Sequence, residues 1–281
     1  MIIDTHAHFY DPSRPQGVPW PRPEDKSLYR TILPEQLKVV AVPEGVTGTV
    51  VVEASPWVED NQWVLDIAAR EPFVVGFVGN LDPASAEFAK NLDRFSADPL
   101  FRGIRVGGGA VKQPLSSTVL DSLKRLQDKD LELDILLGPP ALADAAALAE
   151  ALPRLRIVLN HVGAVRIDGN APDPVWVTGM KQAAAYPHVY CKVSSLSSFV
   201  KMPQAPAQVS FYAPTLDVLW NAFGEDRLFY GSDWPVSARN SDYATMMQVV
   251  RKYFGAKGPA AAAKFFWRNS QAAYRWVPRT A

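Results

Sequence analysis

The chain has 281 residues, of which 48% are hydrophobic and 21% charged, an ordinary globular composition with enough apolar material for a sizeable core. Its 29 basic and 29 acidic side chains balance to a formal net charge of zero, which argues against a nucleic-acid partner. The one cysteine, Cys191, excludes an internal disulfide, and the sequence has neither an apolar run of membrane-spanning length nor a signal peptide, so we expect a cytoplasmic protein with no membrane partner.

Short apolar runs rich in β-branched residues alternate along the chain with longer stretches of helical character. The runs that we predict as strands are Ile2–Thr5, Gly48–Glu53, Phe73–Val78, Arg102–Val106, Leu131–Leu137, Arg156–Asn160, Val189–Ser194 and Leu228–Ser232. Their nearly continuous apolar character is typical of parallel strands that are buried on both faces.

The stretches between these strands predict helices. They are Asn61–Arg70, Ala84–Phe95, Ser117–Lys129, Ala141–Ala151, Asp173–Ala185, Pro214–Phe223, Tyr243–Phe254 and Ala260–Tyr274. Eight strand–helix units favour an α/β fold of the (β/α)8 TIM-barrel type, forming a single domain over residues 1–281. An open doubly wound sheet is the alternative, and the first strand lacks the Gly-x-Gly-x-x-Gly turn that would support it.

One long connection, residues 9–33, shows no periodicity. It contains five prolines together with Trp20 and Tyr29. Loops of this length are either functional or disordered. Because the segment carries aromatic residues, we expect a packed lid over the mouth of the barrel.

Polar and titratable residues recur at the carboxyl ends of the predicted strands, where the active sites of TIM barrels form. The first strand ends in a His-x-His pair, and alternate residues of a strand point the same way, so both imidazoles should emerge side by side. The strand-end candidates are His6, His8, Glu53, Arg105, His161, Lys192, Ser194 and Asp233.

Each of these residues taken alone also has a structural interpretation. His161 could be a buried, hydrogen-bonded core histidine, and Asp233 could cap the next helix. Glu53 could pair with Arg105, and Lys192 could extend from its strand to solvent. The coincidence of three histidines and an aspartate at strand ends nevertheless favours an active site.

These motifs resemble the amidohydrolase superfamily, and more closely its amidohydrolase-2 branch of TIM-barrel metal-dependent hydrolases. That branch includes sugar-lactone hydrolases and the 2-pyrone-4,6-dicarboxylate lactonase. The resemblance covers nearly the whole chain. Among the segments that carry it are Asp4-Thr-His-Ala-His8, Val51-Val-Glu-Ala-Ser55, Leu159-Asn-His-Val-Gly163 and Tyr230-Gly-Ser-Asp-Trp-Pro235.

The resemblance implies a divalent metal, with zinc as the first choice and His6, His8 and Asp233 as its ligands. Metal-dependent members usually have a further ligand at the end of strand five, but Leu131–Leu137 contains no histidine. Three protein ligands and a water molecule form an acceptable catalytic zinc site. Some lactonases of this branch act without a metal, so both alternatives stay open.

The resemblance implies hydrolysis of a small-molecule substrate, a lactone of a sugar acid or a dicarboxylic acid. In this mechanism Asp233 is the general base for a water molecule, and His6, His8 and His161 polarise the carbonyl or stabilise the oxyanion, either directly or through the metal. The expected substrate-binding residues are Glu53, Arg105, Lys192 and Trp234.

Two other functions are alternatives to lactone hydrolysis. The first is a zinc-dependent non-oxidative decarboxylase or hydratase of the same branch, and the second is a barrel without catalytic activity. The missing strand-five histidine counts against the decarboxylase. A homo-oligomer is compatible with the sequence, although the predicted helices contain no readable interface.

Overall fold

Eight parallel strands form a nearly closed barrel in the computed structural model, each hydrogen-bonded to its neighbour in chain order. The structure describes residues 1–279, and the last two residues of the predicted domain lie outside this part. The strands are β1 (Ile3–Ala7), β2 (Gly48–Val52), β3 (Val74–Gly79), β4 (Phe101–Gly107), β5 (Glu132–Leu136), β6 (Arg156–Leu159), β7 (Val189–Val193) and β8 (Leu228–Tyr230). The predicted (β/α)8 TIM barrel is confirmed.

Helices connect successive strands and surround the barrel. They are α1 (Pro34–Ala41), α2 (Val58–Arg70), α3 (Phe88–Ser96), α4 (Ser117–Asp128), α5 (Leu142–Ala151), α6 (Pro174–Ala184), α7 (Val209–Phe223), α8 (Tyr243–Gly255), α9 (Pro259–Ala263) and α10 (Asn269–Tyr274). Between residues 1 and 279, no helix has both the length and the apolar character that crossing a bilayer requires.

Two parts of the helical layer differ from the prediction. The sequence patterns do not predict α1, because it has only eight residues and follows the aperiodic loop. Proline in its first turn suits a helix start, and the Gln36 side chain accepts a hydrogen bond from the Leu33 backbone N–H at 2.9 Å. The single helix predicted over Ala260–Tyr274 instead consists of α9 and α10, joined by a π-helical turn at Lys264–Arg268.

The seam between β1 and β8 depends on the buried carboxylate of Asp4. Its Oδ1 accepts hydrogen bonds from the backbone N–H groups of Ser232 at 2.8 Å and His6 at 3.2 Å. The hydroxyl of Tyr243 donates to its Oδ2 at 3.0 Å. One step further along, the Asp233 backbone N–H donates to the His6 carbonyl at 2.8 Å. These contacts place the end of β1 beside the segment that follows β8.

We therefore expect Asp4→Ala to lower the free energy of unfolding by about 2–4 kcal/mol, because it leaves several buried donors without an acceptor. Urea unfolding followed by circular dichroism measures this loss. The matched control is Asp66→Ala on the exposed side of α2, which should change stability by no more than about 0.5 kcal/mol. An equally small effect of Asp4→Ala would contradict the role assigned to the seam.

Candidate active site

A cavity of about 500 Å³ opens at the carboxyl ends of the strands, the face of a TIM barrel on which catalysis takes place. Strand-end residues that the sequence predicts as functional lie in its wall, together with an aromatic residue from the long loop after β1. These lining residues include His8, Trp20, Glu53, Arg105, His161 and Asp233.

Asp233 lies at the centre of the cluster, with the three predicted histidines around one of its oxygens. The distances from Asp233 Oδ1 to the Nε2 atoms of His8, His6 and His161 are 3.3, 3.7 and 3.9 Å. The other carboxylate oxygen, Oδ2, accepts a hydrogen bond from Ser195 Oγ at 2.5 Å. The structure therefore brings the candidate base and the three predicted histidines together in one cluster.

The carboxyl group of Asp233 is held in its ionised form. Burial by itself would raise its pKa, but His161, His8 and the Ser195 hydrogen bond together outweigh burial and lower the pKa below its ordinary value. An ionised carboxylate with one oxygen facing the cavity can accept a proton from a water molecule.

The backbone is strained where the chain leaves three successive strands. His161, Ser195 and Asp233 follow β6, β7 and β8, and their φ angles are 52°, 58° and 61°. Side chains other than glycine rarely adopt this left-handed conformation, and such strain costs of order 1–3 kcal/mol for each residue. All three residues line the cavity, and strain of this kind is typical of functional sites.

His8 is fixed by backbone carbonyls. Its Nδ1 lies 3.0 Å from the carbonyl oxygen of Val52 and 3.1 Å from that of Glu53. Carbonyls only accept, so Nδ1 carries a proton. Nε2 lies 3.3 Å from Asp233 Oδ1, and a proton or a metal ion between these two atoms would bind both.

His6 has a different neighbour. Its Nδ1 lies 3.1 Å from Lys192 Nζ, which in turn binds Asp134 Oδ2 at 2.7 Å. Tyr274 donates its hydroxyl hydrogen to the other oxygen of Asp134 at 2.8 Å. Burial and then the Lys192 charge hold the pKa of His6 well below its usual range. Lys192, predicted to bind substrate, is fully buried beneath His6 and does not line the cavity.

Arg105 and Glu53 form an ion pair in the cavity wall. Arg105 Nε donates to Glu53 Oε1 at 2.7 Å, and Nη2 donates to the backbone carbonyl of the same residue at 2.9 Å. The remaining nitrogen, Nη1, lies 3.5 Å from His6 Nε2. The structural interpretation of this pair therefore holds, and the guanidinium still has donors that face the cavity.

His161 contacts Ser194, the residue that follows β7. Its Nδ1 lies 2.8 Å from Ser194 Oγ, which also accepts a hydrogen bond from the His161 backbone N–H at 3.3 Å. Burial lowers the pKa of His161 to about 4, so the imidazole is neutral near pH 7.

Two tryptophans have different positions. Trp20, from the loop after β1, lines the cavity, and its ring centroid lies 5.9 Å from that of His8. Trp234, which the sequence predicts to bind substrate, is buried and lies outside the cavity wall. Its backbone carbonyl instead accepts the His8 backbone N–H at 3.1 Å.

Sequence reasoning missed two residues of this site. Strand alternation places Lys192 and Ser194 on one face of β7 and does not predict a role for Ser195, which the left-handed turn after β7 brings to Asp233. The sequence does not predict a role for Asp134 because this residue lies within an apolar strand. A carboxylate at an inward position of β5, matched by a lysine in β7, was the signal that could have identified it.

His6, His8 and Asp233 have the composition of a metal site, with one ligand atom from each within 4.8 Å of the others. The hydrogen bonds of His8 suit a metal ligand, because ligating histidines donate their other N–H to an acceptor. Those of His6 do not, because an ammonium group occupies that position. Two of the three residues therefore fit a metal ion and the third does not in this arrangement.

The sequence model described as amidohydrolase matches residues 3–276. The chain belongs to the amidohydrolase family. An L-fucono-1,5-lactonase of Burkholderia ambifaria is 32% identical to this amidohydrolase over 286 residues, covering 97% of this chain and 95% of that protein.

Solved structures share the fold of this amidohydrolase. An amidohydrolase from Burkholderia multivorans, crystallised with bound zinc, has a TM-score of 0.87 at 23% identity and covers 98% of this chain and 99% of its own. A probable 2-pyrone-4,6-dicarboxylic acid hydrolase from Acinetobacter baumannii, with citric acid bound, has a TM-score of 0.77 at 15% identity and covers 98% of this chain and 99% of its own.

The lowered pKa of His161 predicts a pH-dependent stability. A histidine whose pKa falls on folding contributes fully above its unfolded pKa near 6.5, and this contribution is lost as the pH falls towards its folded value. Between pH 6.5 and 4.5 the wild-type protein should therefore lose about 2–3 kcal/mol more stability than His161→Gln. Urea unfolding at both pH values measures this, and an identical loss in the two proteins would contradict it.

Proposed function

We propose that this protein hydrolyses lactones of sugar acids or dicarboxylic acids, with Asp233 as the general base. The observation that carries the proposal is the position of the Asp233 carboxyl group, one oxygen of which faces three imidazoles. The L-fucono-1,5-lactonase that covers nearly the whole chain supports the lactone as the substrate class.

In the first step Asp233 accepts a proton from a water molecule in the cavity. The water oxygen forms a bond to the lactone carbonyl carbon, and the carbonyl electron pair moves onto oxygen. In the second step this pair returns, the ring C–O bond breaks, and the leaving alkoxide oxygen takes the proton back from Asp233. The product is the open-chain hydroxy acid, and a positioned base of this kind contributes about 10²–10⁴ in rate.

The oxyanion of the intermediate needs hydrogen-bond donors in a site that excludes most water. Arg105 supplies N–H groups in a fixed position, because Glu53 binds its Nε at 2.7 Å and holds the guanidinium in place. His161 is neutral and borders the same cavity. We assign Arg105 to the substrate carbonyl or carboxylate, and Trp20 to the wall against which a ring-shaped substrate packs.

No step of this proposal passes through a metal ion, because only His8 and Asp233 present suitable acceptor atoms. Zinc bound by His6, His8 and Asp233 stays a prediction from the family resemblance. The decarboxylase alternative gains no support from the site, since β5, Glu132–Leu136, contributes Asp134 to the Lys192 ion pair and no histidine.

Replacing the base should abolish turnover without unfolding the barrel. Asp233→Asn should lower kcat for the best sugar-acid lactone by about 10²–10⁴-fold, because the amide cannot accept the proton from water. A pH-indicator assay over a lactone panel measures the rate. Asp93→Asn, on the exposed surface of α3, is the matched control and should leave kcat unchanged. Retained turnover in Asp233→Asn would refute the assigned base.

Removing metal should have little effect. After dialysis against a strong chelator, we expect the lactonase rate to fall by less than about twofold, because Asp233 and not a metal-bound hydroxide activates the water. The same assay with and without added zinc, together with elemental analysis, checks this. A loss of more than about tenfold that zinc restores would instead assign water activation to the metal.

A further inference from the structure

We propose that Lys192 is a positioning residue that holds the proton of His6 on Nε2. Its ammonium group lies 3.1 Å from His6 Nδ1 and 2.7 Å from Asp134 Oδ2. His6 then presents an N–H group to Asp233 and has no free acceptor atom for a metal ion. The position of the His6 proton does not depend on the proposed function. Only the effect of this N–H group on Asp233 as the base rests on the proposed function.

Lys192 forms an ion pair with Asp134 inside the barrel. The side chains of Lys192 and Asp134 are both fully buried, and Tyr274 donates to the second oxygen of Asp134 at 2.8 Å. A buried carboxylate needs a positive partner, and Lys192 supplies it. A charged ammonium group has three donors and no acceptor. His6 Nδ1, as its neighbour, must therefore accept.

A neutral imidazole carries one proton, so an accepting Nδ1 places that proton on Nε2. The surroundings of Nε2 are compatible with this tautomer. Asp233 Oδ1, an acceptor, lies 3.7 Å away. Arg105 Nη1, a donor, lies 3.5 Å away, at the outer limit of a hydrogen bond, whereas Lys192 approaches Nδ1 to 3.1 Å. The opposite tautomer would direct an N–H at the closer of the two cations.

His6 and His8 thus have opposite roles although they project from one strand. His8 donates from Nδ1 to the carbonyl groups of Val52 and Glu53, the arrangement that metal-binding histidines use. In His6 the corresponding atom, Nδ1, lies beside the ammonium group of Lys192, which is a donor and not an acceptor. Lys192 therefore reduces the potential ligand set from three residues to two.

The first test observes the tautomer directly. The chain has four histidines, so selective 15N-histidine labelling gives few NMR signals, and His6→Gln identifies those of His6. In wild-type protein at neutral pH we expect the His6 signals of a proton on Nε2 and an unprotonated Nδ1. A proton on Nδ1 would overturn the proposal.

The second test removes the ammonium group. In Lys192→Met combined with Asp134→Asn, the buried pair becomes neutral, so no unpaired charge is left in the barrel, and the Tyr274 hydroxyl keeps an acceptor. His6 is then free to accept at Nε2. Zinc affinity, measured by calorimetry on the full-length protein, should rise by about 10–100-fold, the usual contribution of groups that orient metal ligands.

Glu132→Gln is the matched control. Glu132 is a buried carboxyl group of β5, and its oxygens have no hydrogen-bond partner among the described residues. Burial raises its pKa well above the usual range, so the amide closely resembles the protonated acid. This variant keeps the contact between Lys192 and His6, and its zinc affinity and His6 signals should equal those of the wild type.

The outcomes separate this inference from the proposed function. A rise in zinc affinity in the double variant but not in Glu132→Gln supports the role of Lys192, even if no lactone is hydrolysed. If the double variant does not fold, the NMR signals of His6 in the wild-type protein alone test the proposal. Unchanged zinc affinity in a folded double variant, or an equal rise in the control, would overturn it.

Discussion

Closure of the barrel between β1 and β8 is the constraint on which the site depends. His6 lies in the first strand, His8 follows it and the base follows the last strand. These residues are separated by almost the whole chain and meet only when the two strands lie side by side. Asp4 ties the strands together through hydrogen bonds to backbone groups on both sides of the seam. The carboxylate that maintains the fold is thus two residues from the first imidazole of the site.

The barrel also buries several charged side chains. Most buried side chains of this barrel are hydrophobic, yet Asp134 in β5, Lys192 in β7 and Asp233 after β8 are all buried. Removing such groups from water costs several kcal/mol for each ion, and each of the three has a close polar partner that reduces this cost. Holding these fixed charges beneath and beside the cavity therefore lowers the stability of the barrel.

The sequence predicts the barrel well because its strands are continuous apolar runs and its polar residues cluster at strand ends. It also brings His6, His8, His161 and Asp233 together, since strand ends in a barrel converge on one face. It cannot predict which of these groups donate and which accept. The position of Lys192 under His6 depends on Asp134, and the contact of Ser195 with Asp233 depends on a left-handed turn. The periodicity of the sequence predicts neither feature.

The backbone carbonyl of Glu53 accepts hydrogen bonds from two different residues of the site. Nδ1 of His8 lies 3.1 Å from it and Nη2 of Arg105 lies 2.9 Å from it. One peptide unit at the end of β2 therefore couples the cation of the cavity wall to the imidazole beside the base. The orientation of the guanidinium that we assign to the substrate and that of the imidazole beside the base thus depend on the same carbonyl oxygen.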